Sequence, residues 1–143
     1  MKIIIAHRGN INGRIEQREN DPLYIQEALS LGYDAEIDVW FIYGQLYSGH
    51  DNPQYKIEKF FIFNSNLWVH CKNIEAMEFM SGKGLNAFAH DDDIIITPNG
   101  YLWTAPGFPI TSRSIAVMPE LASDWNISLA CGVCTDFPSK YKV

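Results

Sequence analysis

Short apolar runs alternate with polar turns along this chain, and the alternation predicts strands and helices in succession. Residues 2–6 hold the first run, three isoleucines and an alanine after Lys2. They read as a buried strand that ends in a polar loop at His7. Asp21-Pro22 is a helix start, with Asp as N-cap and Pro at the first helical position. Leu23, Ile25, Ala28, Leu29 and Leu31 then keep helical spacing up to Gly32, a C-terminal cap. Residues 35–40 read as the second strand, Tyr43-Gly44-Gln45 as a tight turn and residues 46–49 as the third strand. A short helix is expected over 56–63, a fourth strand over 67–71, and a helix over 73–80 that ends near Gly82 and Gly84. Residues 86–89 and 93–97 read as the fifth and sixth strands. Asn99-Gly100 is a strong turn signal, so residues 101–104 extend the sheet or return as a hairpin partner. Residues 114–118 predict a seventh strand, 119–126 a helix, and 127–135 contain an eighth strand.

Eight strands, several followed by helical stretches, predict a parallel α/β arrangement. The expected fold is a compact (β/α)8 TIM-type barrel with several helices shortened or missing. The shortening is forced by length: the chain has 143 residues, and such barrels usually need about 200 or more. One domain over residues 1–143 is expected, since the length suits one substantial core and no repeat or linker divides it.

The polar residues collect at the carboxyl ends of these strands, where barrel enzymes build their active sites. His7 and Arg8 follow the first strand, Glu36 and Asp38 end the second, and His50 and Asp51 follow the third. His70 and Lys72 lie on the fourth, His90 follows the fifth, Glu120 the seventh and Asp136 the eighth. All four histidines of the chain are in this set. Glu36 and Asp38 project from one strand face while Ile37 faces the other. Two carboxylates side by side repel, and a hard divalent cation with oxygen ligands relieves the repulsion. The apolar neighbours Ala35, Ile37, Val39 and Trp40 argue against an exposed acidic strand. His70 and Lys72 share a face in the same way. His70 suits a third metal ligand or a hydrogen-bonded interior histidine, and Lys72 a phosphate-binding cation or a solvated one. His7 and His50 suit paired acid–base work, because imidazole titrates near neutrality. Trp103, with Tyr101 and Glu120, suits either a wall against a sugar or glycerol face or the core.

Composition narrows the partners. The net charge is −6 and 47% of residues are apolar. An acidic chain without a basic cluster argues against nucleic acid, and the scattered lysines and arginines make no polybasic membrane patch. No apolar run approaches the roughly 18 residues that span a bilayer, and residues 2–6 are too short for a signal peptide. A soluble, cytoplasmic protein is expected. Cys71, Cys131 and Cys134 are an odd number, which argues against a disulfide framework. The Cys131-x-x-Cys134 spacing lacks the second half of a zinc site.

His7-Arg8-Gly9, Glu19-Asn20 before a helix, Gly32-x-x-x-Glu36-x-Asp38-Val39 and His50-Asp51 together resemble the glycerophosphodiester phosphodiesterase family. This belongs to the larger group of barrel phosphodiesterases that includes phosphatidylinositol-specific phospholipase C. The likeness is continuous over residues 3–51. Beyond it, Val69-His70-Cys71-Lys72 is similar to the family's Glu-x-Lys strand, and residues 132–138 to its closing Thr-Asp-x-Pro segment. The resemblance implies His7 and His50 as catalytic histidines, Glu36 and Asp38 as metal carboxylates, Arg8 as a phosphate contact and Glu19 as a substrate-site residue. The family's acidic third ligand is replaced by His70. A divalent metal is expected, Mg2+ first with Mn2+ or Ca2+ as alternatives, and the His70 replacement leaves its identity open, since a nitrogen donor accepts transition metals more readily than it accepts calcium. Only residues 52–66 separate the third and fourth strands, so the pocket is expected to be shallow.

The expected activity is metal-dependent hydrolysis of a glycerophosphodiester-like small molecule by His/His acid–base catalysis. Two alternatives remain open: cleavage of a different, glycan- or lipid-linked diester, and a reduced barrel that binds a phosphorylated ligand without turnover. A barrel short of helices exposes apolar strand faces, so a homodimer is a reasonable expectation.

Overall fold

The computed structural model describes residues 1–90 and 93–142. Its ten strands are β1 (Ile3–His7), β2 (Asp34–Ile42), β3 (Gln45–Ser48), β4 (Tyr55–Ile57), β5 (Leu67–Cys71), β6 (Ala87–Phe88), β7 (Ile94–Ile96), β8 (Leu102–Thr104), β9 (Ser114–Val117) and β10 (Gly132–Thr135). Two α-helices accompany them, α1 (Pro22–Ser30) and α2 (Ile74–Met80). Among the described residues no helix is long and apolar enough to cross a membrane.

The expected (β/α)8 TIM-type barrel is not what forms. The strands make one mixed, curled sheet in the order β4-β3-β2-β1-β10-β9-β8-β7, with β5 pairing β2 and β6. Neighbours in the run β6-β5-β2-β1-β10-β9-β8 are parallel. Two strands expected to join that run do not. β3 folds back antiparallel on β2, and β7 is antiparallel to β8. Each turns back through a tight turn, Tyr43-Gly44 and Asn99-Gly100 respectively, whose residues Tyr43, Gly44 and Gly100 have positive φ, and a short turn can join only antiparallel strands. Strand β6 pairs only with β5 among the described residues, so the sheet stays open there.

The missing helices have local causes. Of residues 56–63, the first two belong to β4 and pair with β3, and Lys59–Phe63 is a single 3-10 turn. Of residues 119–126, only Pro119–Leu121 is helical, again as a 3-10 turn. Residues 127–131 form a turn, with the Ala130 amide donating to the Ile127 carbonyl, and β10 begins only at Gly132. Helix α1 forms as its sequence dictates. The Asp21 side chain accepts from the Leu23 amide at 2.9 Å, Pro22 opens the first turn, and Tyr24, Ile25 and Ala28 are buried.

Strand alternation sorts the side chains into two layers. Ala35, Ile37 and Val39 of β2, with Leu67 and Val69 of β5, face outward and pack under α1 and α2. On the concave side Ile5, Trp68, Phe88, Trp103, Ile115 and Cys134 form a second core. Trp103 stands with its ring centroid 5.7 Å from that of Trp68 and 4.9 Å from that of Phe88. These rings fill the space between β8 and the β5–β6 pair, so side chains rather than backbone pairing join the two ends of the curl. Burial of such rings is a large stabilising term, roughly 2–3 kcal/mol for a fully buried large side chain. Above this aromatic floor the same concave face turns polar, at His7, Glu36, Asp38, His70 and Asp136.

Candidate active site

Parallel registration brings the site together. His7 stands beside Glu36 across β1–β2, and Asp38 beside His70 across β2–β5. All four side chains point to the concave face and line a cavity of about 430 Å³ with Arg8, His50, His90 and Asp136. A second recess of about 470 Å³ adjoins it and shares Arg8, Arg14, Glu19 and His50.

His7 is oriented by Asp136, with Nδ1 2.8 Å from Oδ1. Its Nε2 lies 3.9 Å from Glu36 Oε2. Asp136 is itself held: its carboxylate accepts from Asn10 Nδ2 at 2.9 Å, and its amide donates to Glu120 Oε1 at 2.8 Å. Thr135 Oγ1 donates to both Glu120 oxygens, so Glu120 secures the end of β10 rather than walling a pocket. Asn10 Nδ2 also donates to Glu19 at 2.7 Å, and Glu19 pairs with Arg8 and Arg14.

Arg8 adopts a left-handed conformation, φ 53°. That turn aims its amide at Glu36 Oε2, 3.1 Å away. Its Nε lies 3.3 Å from Asp38 Oδ2, an ion pair in which the donor is not aligned for a hydrogen bond. Gly9 follows, φ 88°, and a Cβ there would stand 3.0 Å from the Tyr24 ring, so the loop needs glycine for both space and conformation. Asn20, also left-handed at φ 67°, clamps Asp38. Its amide group donates to Asp38 Oδ2 and its carbonyl accepts from the Asp38 amide, both at 2.9 Å.

The buried carboxylates carry opposed proton affinities. Burial and the neighbouring Asp38 charge push Glu36 up to about 7, against the opposing pull of His7, His70 and Arg8. Burial would raise Asp38 too, but His70, Asn20 and Arg8 hold it below the usual carboxylate range. Burial would lower His7, yet the Asp136 hydrogen bond and the Glu36 charge outweigh it and raise its pKa. Burial alone would raise Asp136, but the hydrogen bonds from His7 and Asn10 and the charges of His7 and Arg8 together outweigh it and lower its pKa.

Glu36, Asp38 and His70 each offer a ligand atom within 4.8 Å of the others. Asp38 Oδ1 is buried without a hydrogen-bond partner, 3.0 Å from His70 Nδ1. Two donors about 2.1 Å from an octahedral ion stand about 3 Å apart, so the orphaned oxygen and the imidazole nitrogen have ligand spacing. The donor set fits a divalent cation. His7, Glu19 and Asp136 are also mutually close, but Asn10 and the arginines already occupy Glu19, and His7 and Asp136 bond each other.

Other expected site residues fall differently. His50 sits on the loop after β3 with Nδ1 2.8 Å from Asp51 Oδ1, half-exposed at the mouth of both recesses. Gly49 before it has φ 154°, and a Cβ there would collide with the Asn52 carbonyl, so the loop closes tightly around His50. Trp103 is 3% exposed and forms cavity floor rather than rim. Lys72 lies just beyond β5 and lines a recess with Asn73 and Met77 that shares His70 and His90 with the cleft but does not include His7. Asn10 and Arg14 carry no signal in the sequence. Asn20 is visible in the sequence only as part of the Glu19-Asn20 pair, and Asp136 as a polar strand end within the Thr-Asp-x-Pro segment. His90 stacks on His70 at 4.4 Å.

Compared with family models, curated proteins and solved structures, the chain finds a match in none of the three.

Proposed function

We propose that this protein is a metal-dependent phosphodiester hydrolase, acting on a small glycerophosphodiester-like substrate. One observation carries the reading: a carboxylate-held histidine, His7–Asp136, faces the Glu36–Asp38–His70 donor set in a cleft that also holds Arg8. The ordered motifs from His7 to His50 support it, as does their resemblance to the glycerophosphodiester phosphodiesterases.

A divalent cation held by Glu36, Asp38 and His70 would supply charge to offset that developing on the nonbridging phosphate oxygens. Arg8 adds a fixed guanidinium on the same side. Asp136 holds the His7 Nδ1 proton, so Nε2 faces the cleft. The raised pKa of His7 suits it as general acid. Water attacks phosphorus, His50 takes its proton, the bond from phosphorus to one alcohol oxygen breaks, and His7 protonates that oxygen. The products are an alcohol and a phosphomonoester. A second reading, binding of a phosphorylated ligand without turnover, draws on the half-exposed His50 and its pairing with Asp51.

The test uses bis(p-nitrophenyl) phosphate and glycerophosphocholine with Mg2+, Mn2+ or Ca2+ against chelator. Chelator-sensitive turnover that disappears in His7→Ala, His50→Ala and Glu36→Ala is expected. Turnover unchanged in His7→Ala or Glu36→Ala removes these assignments. Folded protein that turns over neither diester with any metal moves the reading to ligand binding.

A further inference from the structure

Each carboxylate of the donor set has one oxygen already taken. Glu36 Oε2 accepts from the Arg8 amide. Asp38 Oδ2 accepts from Asn20 Nδ2, with Arg8 Nε 3.3 Å away. Glu36 Oε1 and Asp38 Oδ1 remain, and His70 Nδ1 lies 4.0 Å from the first and 3.0 Å from the second.

The shorter of these contacts is not a hydrogen bond. Asp38 is 1% exposed, and its Oδ1 has no hydrogen-bond partner among the described residues although the ring nitrogen is within reach. His7 and Asp136 make the contrast, because at a similar 2.8 Å they do bond. A buried carboxylate oxygen left unpaired is costly, and an ion held by both atoms removes that cost. Stacking on His90, with ring centroids 4.4 Å apart and planes at 21°, sets the plane of the His70 imidazole.

Two single oxygens and one nitrogen suit some ions better than others. Ca2+ takes about six to eight oxygens, often from bidentate carboxylates. Neither Glu36 nor Asp38 can offer both oxygens without giving up its present bond. Mg2+ likewise takes oxygen donors. Affinity for such hard ions follows the charge of the ligands, and Arg8 beside Asp38 offsets part of the negative charge. Imidazole instead favours first-row transition ions, whose affinity rises from Mn2+ through Co2+.

We propose that the cation held by Glu36, Asp38 and His70 is a divalent first-row transition metal, selected over Mg2+ and Ca2+ by the His70 nitrogen and by carboxylates that each offer one oxygen. This rests on the metal site of the hydrolase reading, and it sets a transition ion ahead of the Mg2+ expected from the sequence.

The test is titration calorimetry of the metal-free protein with Co2+, Mn2+, Mg2+ and Ca2+, without substrate. Co2+ should bind roughly 100-fold or more tightly than Mg2+ or Ca2+. Most sites prefer transition ions to some degree, so the change on substitution assigns the preference to His70. His70→Glu, shown to be folded by circular dichroism, makes the set all-oxygen and should shrink the ratio about tenfold or more. Pulsed electron paramagnetic resonance of the Mn2+-loaded wild type needs no variant and should show coupling to an imidazole nitrogen. Equal affinity for Co2+ and Mg2+, a ratio unchanged in folded His70→Glu, or Mn2+ without nitrogen coupling overturns the proposal. Diester turnover separates it from the hydrolase reading. Transition-metal selection in a protein that cleaves no diester with any of these ions supports the metal assignment and overturns hydrolysis. Diester turnover by a protein that binds Mg2+ as tightly as Co2+ overturns the metal assignment alone.

Discussion

His7 and Asp136 meet at 2.8 Å although 129 positions separate them in the chain. Parallel pairing of β1 with β10 makes the meeting possible, and Asn10 and Glu120 hold the aspartate in place. Asp136→Asn keeps the shape and removes the charge. If His7 is the general acid, kcat should fall roughly 10²-fold or more. The alkaline limb of the pH–rate profile should also move to lower pH, because Asp136 raises the His7 pKa. A lower kcat with an unmoved alkaline limb would mean that Asp136 only supports the fold.

Metal affinity should depend on residues that touch no ion. Loss of a group that orients a ligand typically costs 10–100-fold in affinity. Asn20→Ala removes both hydrogen bonds to Asp38, so its affinity for Mn2+ should fall by that amount. Asp38→Asn and His70→Ala should lose more, beyond roughly 100-fold. Titration calorimetry reads both. Equal affinity in the wild type and all three variants would place the ion elsewhere.

Asn20→Ala should also destabilise the metal-free fold. The Asp38 amide would be left buried without its partner, at about 1–3 kcal/mol, and alanine is poorly suited to the left-handed backbone at this position. Urea denaturation measures the change. A variant as stable as the wild type would show that water replaces the Asn20 side chain.

Stability of the metal-free protein should fall as pH rises from 5 towards 8. Glu36 binds its proton more tightly when folded, up to about 7 against 4.5. Its contribution is complete below 4.5 and is lost as pH climbs through 7. His7, raised from 6.5, acts in the same direction at slightly higher pH. Asp38 and Asp136 are depressed from 3.8, so their contributions are lost only in stronger acid. One proton changes stability by at most about 1.4 kcal/mol per pH unit. Glu36→Gln should flatten the curve between 5 and 7, and saturating divalent metal should do the same in the wild type. Identical pH curves for the wild type and Glu36→Gln would show that Glu36 is ionised in the free protein.

Lys72→Ala should keep kcat/KM within about twofold, because Lys72 lines the far side of His70 and not the cleft that holds His7 and Arg8. A loss of tenfold or more would restore the phosphate role that its spacing from His70 suggests. Steady-state kinetics on glycerophosphocholine decides it.

Local features of the chain determined much of this. Asp21-Pro22 and Gly32 bound α1, Asn99-Gly100 makes the hairpin turn, and the alternation through Glu36-Ile37-Asp38 puts two carboxylates on one face. These depend on neighbours within a few residues, where capping, turn geometry and strand period act. The placing of His7 at the end of β1 was legible for the same reason, whereas Glu36 and Asp38, expected to end their strand, lie inside β2, which runs on to Ile42. Strand direction was not legible. An apolar segment reads alike whether it pairs parallel or antiparallel, and the turns before β3 and β8 decided it. The partnership of His7 with Asp136, the clamp of Asn20 on Asp38 and the displacement of Lys72 were set by tertiary pairing. So was the open, curled sheet in place of a closed barrel. Trp68, Phe88 and Trp103 fill its concave side from opposite ends, and no single stretch of sequence records that packing, because it exists only once the strands have met.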